Sequence, residues 1–162
     1  MTKALRAVKV AGGAHGALLP ARGSVLPSPG RAMDRRIPPR VITYVLEGRY
    51  TVLVGRTDVD NDRLSLGAAA PDDYWFHVRG MPGSHVLLRH PEGDEPSRGI
   101  LKAAASIAAW HSKARNGGNV AVSCTKARYV VKPRGAGAGT VQIRKEIVLK
   151  VRPGLGDATP QA

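Results

Sequence analysis

Histidine, serine and tryptophan gather in two short stretches of this chain, Trp75-Phe76-His77 and Ser84-His85, and these side chains could do chemistry. A serine beside a histidine raises the prospect of a nucleophile and its base. Along an extended segment, however, neighbouring side chains point to opposite faces, so Ser84 and His85 cannot share a hydrogen bond. Asp72 and Asp73 follow Pro71 in a loop, where carboxylates cap and solvate more often than they act as a paired acid and base. His77, His85, His90, His111 and Cys124 lack the close spacings of zinc ligands. Cys124, in an apolar strand, reads as a small buried residue. The run Gly135 to Gly139 could let amides approach a phosphate, but no Lys-Ser or Lys-Thr pair follows and a strand comes next, which favours a hairpin loop. No catalytic constellation emerges, and no metal or cofactor is expected.

Recognition of a polyanion is the better use of these residues. Exposed rings beside cations can stack unpaired bases while the cations hold phosphates. Trp75 and His77 would supply the rings, with a core position weighed equally for Trp75 and favoured for Trp110. The 162 residues hold 25 Lys plus Arg against 12 Asp plus Glu, a formal net charge of +13. The excess is local: residues 111–152 carry ten bases and one acid, whereas 58–73 carry one base and five acids. A concentrated excess focuses a positive field that attracts polyanions. Lys113, Arg115, Lys126, Arg128, Lys132 and Arg134 are its leading members, expected to form one cradle beside the tryptophan and histidine strands.

The elements that must position them follow from periodicity. Val41 to Leu46 and Tyr50 to Val54, joined through Glu47-Gly48, predict a hairpin. The acidic run Asp58 to Asp62 suits the start of a short helix near 61–70. Tyr74 to Arg79 alternates, with Trp75 and His77 on one face and Phe76 and Val78 on the other, and His85 to Arg89 follows after Met81-Pro82-Gly83-Ser84, a type II turn by composition. The segment 97–115 predicts one long helix, with Lys113 and Arg115 in its last turn and a left-handed exit at Asn116-Gly117-Gly118. Short strands over 119–124, 128–132, 140–144 and 147–151 complete an α+β fold, a mainly antiparallel sheet packed against that helix. Residues 1–40, dense in Gly and Pro without a period, read as a flexible basic arm or linker, 41–152 as the domain and 153–162 as a tail.

No run approaches the roughly 20 apolar residues of a membrane helix, and a single cysteine cannot form an internal disulfide. The interrupted apolar stretch Val8 to Leu19 does not suit a secretory core region, so the expected compartment is the cytoplasm.

Several motifs together carry a resemblance. Val54-Gly55-Arg56, Asn61-Asp62-Arg63-Leu64, Asp73-Tyr74-Trp75-Phe76-His77-Val78, Pro82-Gly83-Ser84-His85-Val86, Ala108 to Arg115, and Val131-Lys132-Pro133 with Gly139 resemble, in order and spacing, the NFACT-R domain. That domain is the C-terminal RNA-binding module of the NEMF, RqcH and fibronectin-binding-protein-like family, and the resemblance covers about residues 44–152.

The resemblance implies an RNA-binding site that includes Arg56, Trp75, His77, Ser84 and His85 beside the C-terminal bases. Full-length members act in ribosome-associated quality control, binding tRNA on the large subunit and promoting C-terminal tailing of stalled chains. This chain has no room for their N-terminal glycosylase-like domain, helix-hairpin-helix and coiled coil, so a stand-alone, non-enzymatic module for tRNA or ribosomal RNA is expected. The alternatives are a catalytic or accessory subunit in tRNA sulfur modification, using His77, His85 and Asp73, and a ribosome-tethered protein-interaction module.

Overall fold

The computed structural model describes residues 6–8, 34 and 36–162. Within the expected arm, Arg6–Val8 forms strand β1; the remainder of that arm up to residue 33 lies outside the described residues. Strands β2 (Val41–Leu46) and β3 (Tyr50–Gly55) form the predicted hairpin. Glu47 and Gly48 both adopt left-handed backbone, with φ of 49° and 68°. Paired positive φ angles let a tight reversal match the strand twist, and the Arg49 N–H closes it on the Leu46 carbonyl at 3.1 Å.

Helix α1 (Asp58–Arg63) begins earlier than expected because Thr57 caps it, its hydroxyl accepting from the Asp60 N–H at 3.1 Å. The chain continues without a break into a π-turn at Leu64–Ala68, closed by the Ala69 N–H on the Leu64 carbonyl. Strands β4 (Tyr74–Val78) and β5 (Val86–Arg89) follow, then α2 (Arg98–Trp110), whose Ser97 cap accepts from the Ile100 N–H at 3.3 Å. The C-terminal third comprises β6 (Val120–Lys126), a 3-10 turn at Ala127–Tyr129, β7 (Val130–Val131), β8 (Val141–Ile143), β9 (Ile147–Val151) and β10 (Thr159–Gln161).

The architecture is α+β and antiparallel throughout its pairings. Seven strands run in the order β10-β2-β3-β5-β4-β6-β9, and a second sheet runs β1-β8-β7. The chain's end is therefore an edge strand on β2. The alternation of β4 and β5 divides two cores. Phe76, Val78, Val86 and Leu88 pack under α2, while Trp75 and Leu87 pack with Leu64, Ala127, Val130, Val141 and Ile143 beneath the π-turn and the small sheet. Both faces of the large sheet are covered, which decides the fate of every side chain on β4 and β5.

Three local expectations are corrected. Helix α2 has 13 residues, not the span 97–115, and Lys113 and Arg115 lie beyond it. Its capping residue His111 has φ −90° and ψ 38°, and the chain after it makes bonds to the β4–β5 loop that compete with further helix. Gly117 and Gly118 are not left-handed. In the β4–β5 connection Gly80, with φ 76°, takes the positive angle, and Gly83 does not.

Candidate nucleic-acid interface

Trp75, His77 and His85, the residues read as a base-stacking face, are fully buried in the second core. The Trp75 indole N–H donates to the Ser65 hydroxyl at 3.0 Å, and that hydroxyl is 2.8 Å from His85 Nδ1. The π-turn supplies Ser65 at this point. His77 completes a triangle of rings, stacked on Trp75 at 6.0 Å and edge-on to His85 at 5.6 Å, with Trp75 and His85 themselves 5.1 Å apart. The His85 backbone is held as well: its N–H donates to Asn61 Oδ1 at 3.0 Å, and its carbonyl accepts from the Gly55 N–H at 3.0 Å. A Cβ on Gly55 would lie 3.2 Å from Asn61 Cα, so Gly55 and Asn61, from two motifs, form one close contact.

Both imidazoles are kept neutral by burial. Desolvation brings His77 down to about 4, with the Gly83 and Val78 backbone groups opposing the shift without cancelling it. Desolvation, with His77 nearby, brings His85 down to about 3. Neither ring nitrogen of His77 nor Nε2 of His85 has a hydrogen-bond partner. Neutral and shielded from solvent, these two histidines and Trp75 cannot stack bases or hold phosphates. They are the packing of the motif face. Ser84 is half-buried, and its N–H donates to the His111 carbonyl at 3.1 Å.

The expected single cradle is divided too. Lys126 lies 2.8 Å from Glu95 and 3.7 Å from Asp72, Arg128 pairs with Asp72, and Lys132 lies 2.9 Å from Asp62 while reaching the Gly137 carbonyl. Each of these cations is already matched by an acid from the chain's earlier half or middle. Among the described residues Arg56 and Arg134 are exposed without a carboxylate partner, and the Arg56 Nε donates to the Val41 carbonyl at 3.4 Å.

One predicted group does come together, at the exit of α2. The Lys113 N–H donates to the Pro82 carbonyl at 3.2 Å, next to the Ser84–His111 bond, and Gly83 bridges Ser112. A Cβ on Gly83 would stand 2.9 Å from Ser112 Cβ, so only glycine allows this approach. The Pro82-Gly83-Ser84 motif thus clamps the segment that carries Lys113 and Arg115. Both side chains are exposed, and neither has a carboxylate within salt-bridge reach among the described residues. The Arg115 guanidinium sits 3.7 Å from the centre of the half-buried Trp110 ring, a cation–π contact that holds it in place. Behind them His111 Nε2 lies 2.9 Å from the Tyr44 hydroxyl.

Sequence reading missed Trp110 as part of this site, because the apolar period of α2 assigned it to the core. It also missed Asn61 and Ser65, whose roles depend on contacts with β3, β4 and β5. The only signal for Asn61 was its place in the run Asn61-Asp62-Arg63-Leu64.

Residues 40–145 match the family described as NFACT protein RNA binding domain. Similar curated relatives are the Rqc2 homolog RqcH of Bacillus subtilis, 40% identical over 115 residues, and that of Streptococcus suis, 36% identical over 107 residues. These alignments cover 71% and 66% of this chain but only 20% and 19% of the relatives, so the chain spans about a fifth of their length. Among solved structures, the C-terminal part of the fibronectin/fibrinogen-binding protein from Streptococcus suis is similar, with a TM-score of 0.66 and 34% identity. That similarity covers 74% of this chain and 47% of the solved one.

Proposed function

This chain belongs to the family of NFACT protein RNA-binding domains, and from that membership we propose that it binds tRNA or ribosomal RNA through the exit of α2. The observation that supports this reading is the pair Lys113 and Arg115, exposed and without acid partners among the described residues, on a segment clamped to the β4–β5 motif loop. Held by backbone bonds rather than by ion pairs, the two cations keep their charge available for phosphate. Trp110 beneath Arg115 orients the planar guanidinium, which suits bidentate contact with phosphate oxygens.

The role is binding without catalysis, in the cytoplasm and in a translation-linked setting such as ribosome quality control. The similarity to RqcH over this domain supports that setting.

Fluorescence anisotropy with labelled bulk tRNA tests the reading. Replacing both Lys113 and Arg115 by Ala should weaken binding similarly for all tRNAs and reduce the salt slope by about 1.4 to 1.8, roughly 0.7 to 0.9 for each lost phosphate contact. An unchanged affinity and slope would remove the α2 exit as the site. Purified protein incubated with tRNA should leave its nucleoside composition unaltered; a changed composition would reject the non-catalytic role.

A further inference from the structure

With Trp75 buried, three tyrosine or tryptophan rings among the described residues keep partial exposure: Tyr74, Trp110 and Tyr129. Each has a cation over it. At Tyr74 the arrangement is closed, because the hydroxyl donates to Glu95 at 2.7 Å and Lys126 over the ring is itself paired with Glu95. Trp110 lies under Arg115 at the site already described.

Tyr129 is different. Lys145 Nζ lies 4.8 Å and the Arg144 guanidinium carbon 6.0 Å from its ring centre, and Lys145 is 3.2 Å from its hydroxyl. Neither cation has a carboxylate partner among the described residues. The adjacent acid, Glu146, turns instead to Arg79 at 3.2 Å and Ser123 at 2.5 Å. Lysine at 145 holds a left-handed backbone with φ 51°, a conformation uncommon for a residue other than glycine. The surroundings fix it there. Thr125 donates to the Arg144 carbonyl at 2.6 Å, and the Arg144 N–H donates to the Tyr129 carbonyl at 3.1 Å. Non-glycine residues held in this region tend to mark functional sites.

We infer that Tyr129, with Arg144 and Lys145 over its ring, is a stacking platform for an unpaired base of single-stranded RNA, whose flanking phosphates the two cations take. An aromatic face accepts any base, and cations without acid partners can move onto phosphate without leaving a carboxylate bare. A duplex offers the phosphates but no free base face, so the platform discriminates between loops and helices. This inference rests on the RNA-binding reading and adds a second contact region. Tyr129 follows the Lys126 end of β6, whereas the α2 exit meets the other end of the sheet, where the Arg79 N–H reaches the Ala121 carbonyl.

The test uses the full chain with three probes: a 12-nucleotide single-stranded RNA carrying 4-thiouridine, a 12-base-pair RNA duplex, and a 12-residue polyglutamate. Tyr129→Ala should weaken single-strand binding by about 5- to 150-fold and leave duplex binding unchanged, while Tyr129→Phe keeps the wild-type preference. Irradiation of the wild-type complex should crosslink the single strand to the peptide containing Tyr129. Equal loss on both RNAs, no loss on either, a crosslink elsewhere, or displacement of the single strand by polyglutamate would overturn the platform. If Tyr129→Ala is silent while the Lys113 and Arg115 replacements weaken binding, the platform falls and the proposed function stands. If the wild-type chain binds neither RNA, both fall.

Discussion

Trp75 shows how one hydrogen bond and one covered face settle a side chain's role. Its ring fills the second core and its N–H is satisfied by Ser65. Trp75→Ala should therefore cost about 3–5 kcal/mol of stability, as for other large buried aromatics, and leave the RNA preference of the folded fraction unchanged; urea denaturation beside anisotropy measures both. His77 and His85 give a prediction with a definite sign. Their folded-state values, about 4 and about 3, lie below the ordinary histidine value, so the unfolded chain binds protons more readily at mildly acid pH. Stability is fully present above about pH 6.5 and is lost as pH falls through the folded values of about 4 and about 3, on the order of 4 kcal/mol for the pair between pH 7 and pH 5. A urea midpoint that stays flat over that range would contradict the buried neutral pair. Cys124 makes a further check. Burial pushes its thiol up to about 12, so thiol reagents should label it only after unfolding, because the thiolate is the reactive form.

Among the elements, the π-turn and the α2 exit matter most. The π-turn places Ser65 where both Trp75 and His85 can use its hydroxyl, which suits the tendency of such turns to occur where geometry is functional. At the α2 exit, Gly83 lets the motif loop lie against Ser112. Gly83→Ala should force the two segments apart, lowering stability by about 1–3 kcal/mol as overpacking does and weakening RNA binding, because Lys113 loses its clamp. Calorimetry and anisotropy on the same sample read the two effects. A variant with normal melting and normal affinity would show that the close approach is unimportant. The helix stops at Trp110 for the same tertiary reason, which is why periodicity carried it too far. Local signals did find its start at Ser97, the β2–β3 hairpin and strands β6, β8 and β9, because caps, turn residues and alternation act within a few residues of one another, whereas β10 lies in the segment read as a tail and pairs with distant β2.

For the whole molecule, net charge overstates what RNA can meet. Lys126, Arg128 and Lys132 are matched by Glu95, Asp72 and Asp62, which stand 31, 56 and 70 residues away in the chain. With Lys113, Arg115, Arg144 and Lys145 as the contacts, the slope of log affinity against log salt should be about −2.8 to −3.6, at roughly −0.7 to −0.9 for each phosphate. Titration between low and moderate salt checks this; a slope steeper than about −5 would mean that further cations, the unpaired Arg56 and Arg134 or the acid-paired lysines and arginine, also take phosphate. The α2 exit and the Tyr129 platform lie toward opposite ends of a sheet whose strand β6 spans about 20 Å, so a polynucleotide rather than a single nucleotide is needed to reach both. The amino-acid sequence alone determined the α+β class, the antiparallel hairpins, the family and the basic character of the C-terminal third, since all of these depend on short-range period, turn chemistry or residue type. The tertiary structure alone decided that the large sheet is covered on both faces, so that Trp75, His77 and His85 turn inward, and which cations are left without an acid partner. Burial and ion pairing depend on partners brought from distant parts of the chain, and no local pattern records them.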